Sequence, residues 1–349
     1  MIVGIYDYKD GDFPKYLQRY ETILNFNGIE NIRLNVNQPD FWSRVEKLDL
    51  FIYHWIGTYN HHQLAPILLH IVENVLKVKC FPNSVTYWHY DDKVRENYLL
   101  ERYKFPIVPS WTFWDKKSAI EWLQNAKFPL VFKLKGGASS VNVALVKNKR
   151  YAQRLINEMF GKGITSGFVP GTLSLRVKDE GVFQMGKRLI NKFLGDAGLK
   201  NKSSLEILHR NYIYFQKFLP SNNFDTRVTI IGNRAFGARR YNRKGDFRAS
   251  GSGLADFHHD DIDTQCIKIA FEISKRLNFQ MMSYDFLYDE NKQPLVSEIS
   301  YTSPDWTVYS SPGYWDENLE FHEGHLWPQY CVLSDLLNNP LLKQPDMKI

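Results

Sequence analysis

From Ile2 to Phe81 the chain alternates short apolar runs with amphipathic segments, and that alternation leaves few folds open. Ile2 to Tyr6 reads as a strand and Pro14 to Phe26 as a helix closed by Asn27-Gly28. Ile32 to Val36 and Leu48 to His54 read as two further strands. A helix over Gln63 to Lys77 and a short strand from Val78 to Phe81, stopped by Pro82-Asn83, complete the series. Strand and helix alternating through short connections predict a parallel sheet covered on both faces. The amino-terminal region is therefore of α/β class.

The pattern then changes. Asp91 to Tyr103 and Lys116 to Gln124 read as helices, and Phe128 to Lys135 as a strand. That strand runs into Gly136-Gly137-Ala138-Ser139-Ser140 and straight on into a second strand, Val141 to Val146. Strand, glycine-rich turn and strand make a hairpin, not the strand-to-helix step of a phosphate loop. Helix Ala152 to Phe160 follows, and residues 160–205 give no readable order. Tyr212 to Leu219 is a strand. Thr226 to Ile230 and Ala235 to Tyr241 flank Gly232-Asn233, a strong two-residue hairpin signal. Asp263 to Leu277 is a helix, and Tyr284 to Tyr288 with Leu295 to Ser300 form a last hairpin around residues 289–292. The whole is α+β, and 349 residues predict two or three packed units.

Composition removes several classes. Cys80, Cys266 and Cys331 are scattered, which excludes a zinc ribbon or disulfide framework and fits a reducing cytoplasm. The amino terminus lacks the basic flank of a signal peptide. The most apolar stretch, Ala65 to Val78, is too short and too charged to span a bilayer, so no membrane partner is expected. Only the last dozen residues read as a candidate for disorder. The net charge of +6 is mild, but Arg227, Arg234, Arg239, Arg240, Arg243, Lys244 and Arg248 cluster against a single acid, Asp246. Such a cluster wants an anion: polyphosphate, nucleic acid or a carboxylate. No GxxxxGK[ST], GxGxxG, HExxH or GxSxG motif is present, so a nucleotide would need another architecture.

Three places carry chemistry. Lys133 lies in an apolar strand just before the glycine-rich turn. A buried ammonium needs an anion, and the turn offers amides unobstructed by side chains; the bland alternative is an edge-strand lysine in solvent. Around Gly232-Asn233, Ile231 pairs with Arg234, which sets Asp225 opposite Arg240 and Arg227 opposite Ala238. Asp225, Arg227 and Arg240 then share one face, while Val228, Ile230, Ala235 and Gly237 share the packed one. Arginine grips phosphate or carboxylate in bidentate fashion; the alternative is a solvated salt-bridge lattice. In the last hairpin, a four-residue loop pairs Tyr288 with Gln293 and places Asp285, Glu298 and Ser300 on one face, with Asp285 and Glu298 diagonal neighbours. Two close carboxylates repel unless a cation intervenes, and all-oxygen donors favour magnesium.

In their order along the chain these segments resemble the ATP-grasp ligases, nearest to glutathione synthetase and the ribosomal-protein glutamate ligases. The resemblance rests on Asp92-Lys93 opening a helix after Phe81-Pro82-Asn83, Phe128 to Lys133 with its Gly-Gly-Ala-Ser-Ser turn, and Tyr214 to Pro220. It continues through Asp225-Thr-Arg227-Val, Gly245 to Ser250, and Asp285 with Glu298-Ile-Ser300. It implies an ATP-grasp fold: an amino-terminal Rossmann-like domain over 1–106, a lid over 107–216, a catalytic subdomain over 217–337 and a tail over 338–349. It further implies that Lys93 and Lys133 hold the α- and β-phosphates and that Gly136, Gly137, Ala138, Ser139 and Ser140 close over the triphosphate. Gln216, Lys217 and Phe218 would form the hinge that reads adenine, with Asp225 beside the nucleotide. Arg227, Arg240 and Arg248 would face the γ-phosphate and the substrate carboxylate, while Asp285, Glu298 and Ser300 would bind one or two magnesium ions.

Two positions depart from the family's usual pattern: Gln216 stands where a Glu is common, and Ser300 where an Asn is common. The implied cofactors are ATP and Mg2+, and the implied substrates a small-molecule, peptide or sugar-acid carboxylate and an amine, with no nucleic acid and with a homodimer left open. A kinase on the same fold, using a hydroxyl acceptor, and a basic nucleic-acid-binding module are the competing readings. His258 to Asp261 and His322 to His325 lack a metal-ligand spacing. His54, Trp55, Gly57 and Thr58 are an acceptor-pocket candidate at a strand's carboxyl end; Trp306, Tyr309 and Trp315 either stack on a substrate or pack the surface.

Overall fold

The structure is a computed structural model, and it describes residues 1–7, 14–55, 57–136, 142–170 and 207–348. The chain divides into two compact units: Met1–Ile56, His62–Tyr90 and Asn222–Ile349 form the first, and Gly57–His61 with Asp91–Ser221 the second.

The first unit opens with β1 (Ile2–Tyr6), α1 (Pro14–Phe26), β2 (Glu30–Leu34), α2 (Phe41–Val45) and β3 (Leu50–Ile52). It continues with α3 (Tyr59–His70), which belongs to this unit from His62 onward, and β4 (Lys79–Phe81). All three strand pairings are parallel, in the order β2-β1-β3-β4. β2 begins two residues earlier than the apolar pattern indicated, because Glu30 and Asn31 pair with Ile2 and Val3 through their backbones whatever their side chains. After the helix α4 (Ser84–Tyr87) the chain leaves this unit.

The second unit holds α5 (Lys93–Arg102), β5 (Ser110–Phe113), α6 (Lys116–Leu123), β6 (Leu130–Lys133), β7 (Val143–Val146) and α7 (Lys149–Met159). A short pair, β8 (Ile164–Thr165) and β9 (Leu208–His209), and the strand β10 (Ile213–Lys217) complete it. Its sheet runs β5-β10-β6-β7 and is antiparallel throughout. One face packs Phe132, Phe215, Ala144 and Val146 against Ala119, Leu123, Leu155 and Ile156 of the two helices. The other face carries Val131, Gln216 and Ser110, which lie outside that core cluster.

The chain returns to the first unit in β11 (Phe224–Ile231), β12 (Arg234–Tyr241), β13 (Ala255–Asp256), α8 (Thr264–Leu277), β14 (Met281–Tyr288) and β15 (Pro294–Ser300). It ends with α9 (Asp305–Tyr309), β16 (Gly313–Trp315), β17 (Phe321–Glu323) and α10 (Pro328–Leu337). This sheet has the order β15-β14-β11-β12-β16-β17, with β13 on β12. A single core joins it to the parallel sheet: Val3, Ile5, Leu50 and Ile52 share a cluster with Ile231, Phe236, Met281 and with Cys331 to Leu333 of α10. The end of the chain, where disorder was a candidate, is tied down. Lys343 exchanges two backbone hydrogen bonds with the Asn27 side chain, each 2.8 Å, and Leu342 is buried.

Candidate active site

In the first unit the site is built along one face of β11, β12, β14 and β15, and its polarity rises rung by rung. The first rung, Ile231 with Met281, belongs to the core. The next aligns Phe236, Thr229, Ser283 and Ser300, with the Thr229 and Ser283 hydroxyls 2.8 Å apart. The third aligns Ala238, Arg227, Asp285 and Glu298, and the fourth sets Asp225 opposite Arg240. Period-two alternation requires this: Val228, Ile230 and Tyr284 fall on the opposite face, where the Tyr284 and Ser274 hydroxyls meet at 2.6 Å under α8.

The charged rungs form one ionic lattice. Arg227 forks onto Asp285 (Nε to Oδ1 2.7 Å, Nη2 to Oδ2 2.9 Å), and Arg240 forks onto Asp225 (2.7 Å twice). Arg240 Nη2 also donates to Asp285 Oδ2 at 2.6 Å. Burial opposes ionisation of Asp285, yet the Arg227 and Arg240 guanidiniums outweigh it and hold this carboxyl well below the usual carboxylate range. At Asp225 burial wins: its carboxyl is pushed up despite Arg240, with Asp285 nearby adding to the rise. Burial disfavours a charged Arg240, but its two carboxylate partners more than restore the charge.

The register of the last hairpin differs from the expectation, and the difference is instructive. Tyr288 pairs with Pro294, not Gln293. The turn is tightened by Lys292 at φ 59, and the Asp289 carboxylate accepts from the amides of Asn291 and Gln293. A lysine in the left-handed region gives no sequence signal, unlike the glycine or asparagine usual there. That one-residue slip alone would turn Glu298 to the wrong face. A bulge follows, however: Phe286 pairs with Val296 and Asp285 with Glu298, leaving Ser297 extra. Asp285 and Glu298 are thereby directly opposite, closer than the diagonal placement expected.

The donor set Asp285, Glu298 and Ser300 is all oxygen and lies on adjacent strands, which suits magnesium. Asp285 already accepts three guanidinium hydrogen bonds, leaving about one of its four lone-pair sites. The Ser300 hydroxyl donates to the Thr302 carbonyl at 2.9 Å and accepts from the Thr302 amide at 3.3 Å, so it is committed to a local turn. Glu298 stands directly opposite Asp285 on the neighbouring strand.

The rest of the arginine cluster is engaged as well. Arg248 sits in the loop after β12, forked onto Asp246, with both side chains buried. Arg234 grips Asp335 from α10, and Arg239 holds Asp256 and Asp261. Partly buried and held by carboxylates, these arginines differ from the exposed basic surface that a nucleic-acid module requires.

In the second unit Asp92 caps α5, accepting from the amides of Val94 and Arg95, and Lys93 is the first helical residue. Lys93 and Lys133 are both buried, and Lys133 closes β6 opposite Val143. Gly136 is buried beside Asp91, whose backbone and carboxylate oxygens would stand 3.3 Å from an added Cβ. Gly137, Ala138, Ser139 and Ser140 lie outside the described residues. Gln216 is buried on the polar sheet face, donating to the Ser110 and Tyr214 hydroxyls at 3.2 and 3.3 Å. Lys217 and Phe218 are half-buried at the end of that strand, the Lys217 amide donating to the Pro109 carbonyl.

Elsewhere, Asp316, Glu320 and His322 bring their ligand atoms within 4.8 Å of one another, while Trp315 and Trp327 are core residues. Among the described residues, no helix is long and apolar enough to cross a membrane.

This chain has the ATP-grasp fold. Residues 185–311 match the RimK-like ATP-grasp domain. Among solved structures, N5-carboxyaminoimidazole ribonucleotide synthetase from Thermotoga maritima is similar at 14% identity and TM-score 0.56, over 97% of this chain and 76% of that one. The macrocyclase MdnC from Microcystis aeruginosa, solved with its precursor peptide MdnA, is similar at 10% identity and TM-score 0.55, over 97% and 100%. D-alanine–D-alanine ligase from Bacillus anthracis complexed with ATP is similar at 13% identity and TM-score 0.51, over 86% of each chain. No curated protein sequence matches the chain.

Proposed function

We propose that this protein is an ATP- and magnesium-dependent ligase that activates a carboxylate as an acylphosphate and joins it to an amine, releasing ADP and phosphate. The observation that carries the reading is the charged rung Arg227–Asp285–Glu298, adjoining Asp225–Arg240. It combines carboxylates fit for magnesium with guanidiniums fit for phosphate on one rigid sheet face. Similar structures include a ligase complexed with ATP and a macrocyclase bound with its precursor peptide, which supports a carboxylate and an amine from small molecules or peptides as substrates. Three free, buried cysteines suit a reducing cytoplasm.

A carboxylate is a poor electrophile at neutral pH. In the proposed reaction its oxygen attacks the γ-phosphorus, ADP leaves, and the amine then displaces phosphate from the acyl carbon. The chain's own part is to position reactants and neutralise charge. Lys93 and Lys133 would bind phosphate oxygens in the second unit, and Gln216 to Phe218 would contact adenine. In the first, Asp285 and Glu298 would hold the magnesium, which supplies charge neutralisation at the phosphates. Arg227 and Arg240 would orient the γ-phosphate and the carboxylate by exchanging part of their present pairing for it, and Arg248 would add a third guanidinium.

The test is ADP release in the presence of pooled carboxylates and amines, for the wild type and Glu298→Ala. Loss of one magnesium ligand should lower kcat by a factor of about 100 or more. Turnover equal to that of the wild type would remove the metal assignment.

A further inference from the structure

The two ends of the glycine-rich segment are held by a buried hydrogen-bonded chain that involves none of the proposed phosphate-binding side chains. On the entering side, the Lys135 amide donates to the Tyr212 hydroxyl at 2.9 Å and the Lys135 carbonyl accepts from the Lys93 amide at 2.9 Å. The Gly136 carbonyl accepts from Asn142 Nδ2 at 2.7 Å. On the returning side, the Asn142 carbonyl accepts from the Leu134 amide at 3.0 Å, and Asn142 Oδ1 accepts from the Gly167 amide at 2.7 Å. Ser166 Oγ lies 3.4 Å from Asn142 Nδ2 and 2.9 Å from His209 Nε2, and the Tyr212 hydroxyl lies 3.0 Å from His209 Nδ1.

The Tyr212 oxygen accepts from the Lys135 amide, and both His209 ring nitrogens are engaged by hydroxyls, Nδ1 by Tyr212 and Nε2 by Ser166. A neutral imidazole supplies one donor and one acceptor to that pair. Its surroundings favour the neutral ring: burial first, then Lys135 and, more weakly, Lys93 oppose a charge, with Asp91 acting against them.

We propose that His209 and Tyr212, through Ser166 and Asn142, act as positioning residues that fix Lys135, Gly136 and the start of α5, and thereby set affinity for the triphosphate. The inference rests on reading this unit as nucleotide-binding. It explains why a buried, polar, neutral histidine stands beside two lysines where an apolar residue would cost nothing in desolvation. Backbone amides bind phosphate well only when their directions are fixed before the ligand arrives.

The experiment uses the full chain and the variants Tyr212→Phe and His209→Gln, with ATP and adenosine as probes and hydrogen exchange as a second readout. Each variant should bind ATP about tenfold more weakly, the worth of one neutral hydrogen bond, with adenosine affinity unchanged. The Lys135 amide should exchange about tenfold faster in Tyr212→Phe, having lost its acceptor. Equal weakening towards ATP and adenosine, or wild-type affinity for both, would overturn the proposal. If the wild type binds no ATP, the nucleotide reading fails. Exchange at Lys135 then still decides whether the brace exists, and an unchanged rate in the variant would refute it.

Discussion

Replacing Arg240 by methionine isolates the energetics of the ionic lattice. The change keeps most of the side-chain volume but deletes three hydrogen bonds, two to Asp225 at 2.7 Å and one to Asp285 at 2.6 Å. Asp285 retains its fork from Arg227, whereas Asp225 loses its bidentate partner inside a buried site. Removing one member of a buried ion pair costs about 3–5 kcal/mol. For a unit of roughly 200 residues that corresponds to a fall in Tm of about 6–20 °C. The pH dependence has a definite sign. Asp225 is already pushed up by burial, and without Arg240 it rises further, so the folded state holds a proton the unfolded state releases. Stability from that proton is present at low pH and lost as pH rises. Urea unfolding at pH 5 and pH 8 should therefore show a larger deficit, relative to the wild type, at pH 8. A deficit below about 1 kcal/mol, the size of an exposed pair, or one that does not change with pH, would refute the reasoning.

His209 makes a second pH prediction of opposite sign. Burial, with Lys135 adding to it, depresses this imidazole to about 4, so its contribution is complete above the unfolded value of about 6.5 and is lost as pH falls through 4. Between those limits the wild type should lose about 1.4 kcal/mol per pH unit more than His209→Gln, and parallel unfolding curves would exclude the depressed value. Gly232→Ala should destabilise the first unit by more than about 1 kcal/mol. Gly232 adopts φ +57, and an added Cβ would stand 2.1 Å from the Asp335 carboxylate that Arg234 grips; a variant with wild-type stability in urea would show the turn has room.

What could be read from the sequence follows the strength of local signals. The Gly232-Asn233 turn fixed its register unambiguously, so the facing of Asp225, Arg227 and Arg240 was legible to the residue. Their pairing was not, because alternation gives the face of a side chain and not its rotamer or partner. The last hairpin was mis-registered at Lys292, a residue type rarely asked to take φ 59, and then restored by the bulge at Ser297, which no pattern announces. The amino-terminal parallel sheet was legible because its buried strands are continuous apolar runs. Asn142, Ser166, His209 and Tyr212 carried no signal, since a hydrogen-bonded brace between distant positions has no spacing rule.

The central claim is that a carboxylate oxygen attacks ATP. The most direct measurement supplies a carboxylate substrate found in the ADP-release screen with both oxygens labelled as 18O, together with ATP and the amine, and analyses the released phosphate by mass. Activation through an acylphosphate predicts that each phosphate carries one labelled oxygen, in step with the ADP formed. Unlabelled phosphate, or a phosphorylated hydroxyl in place of an amide, would contradict it.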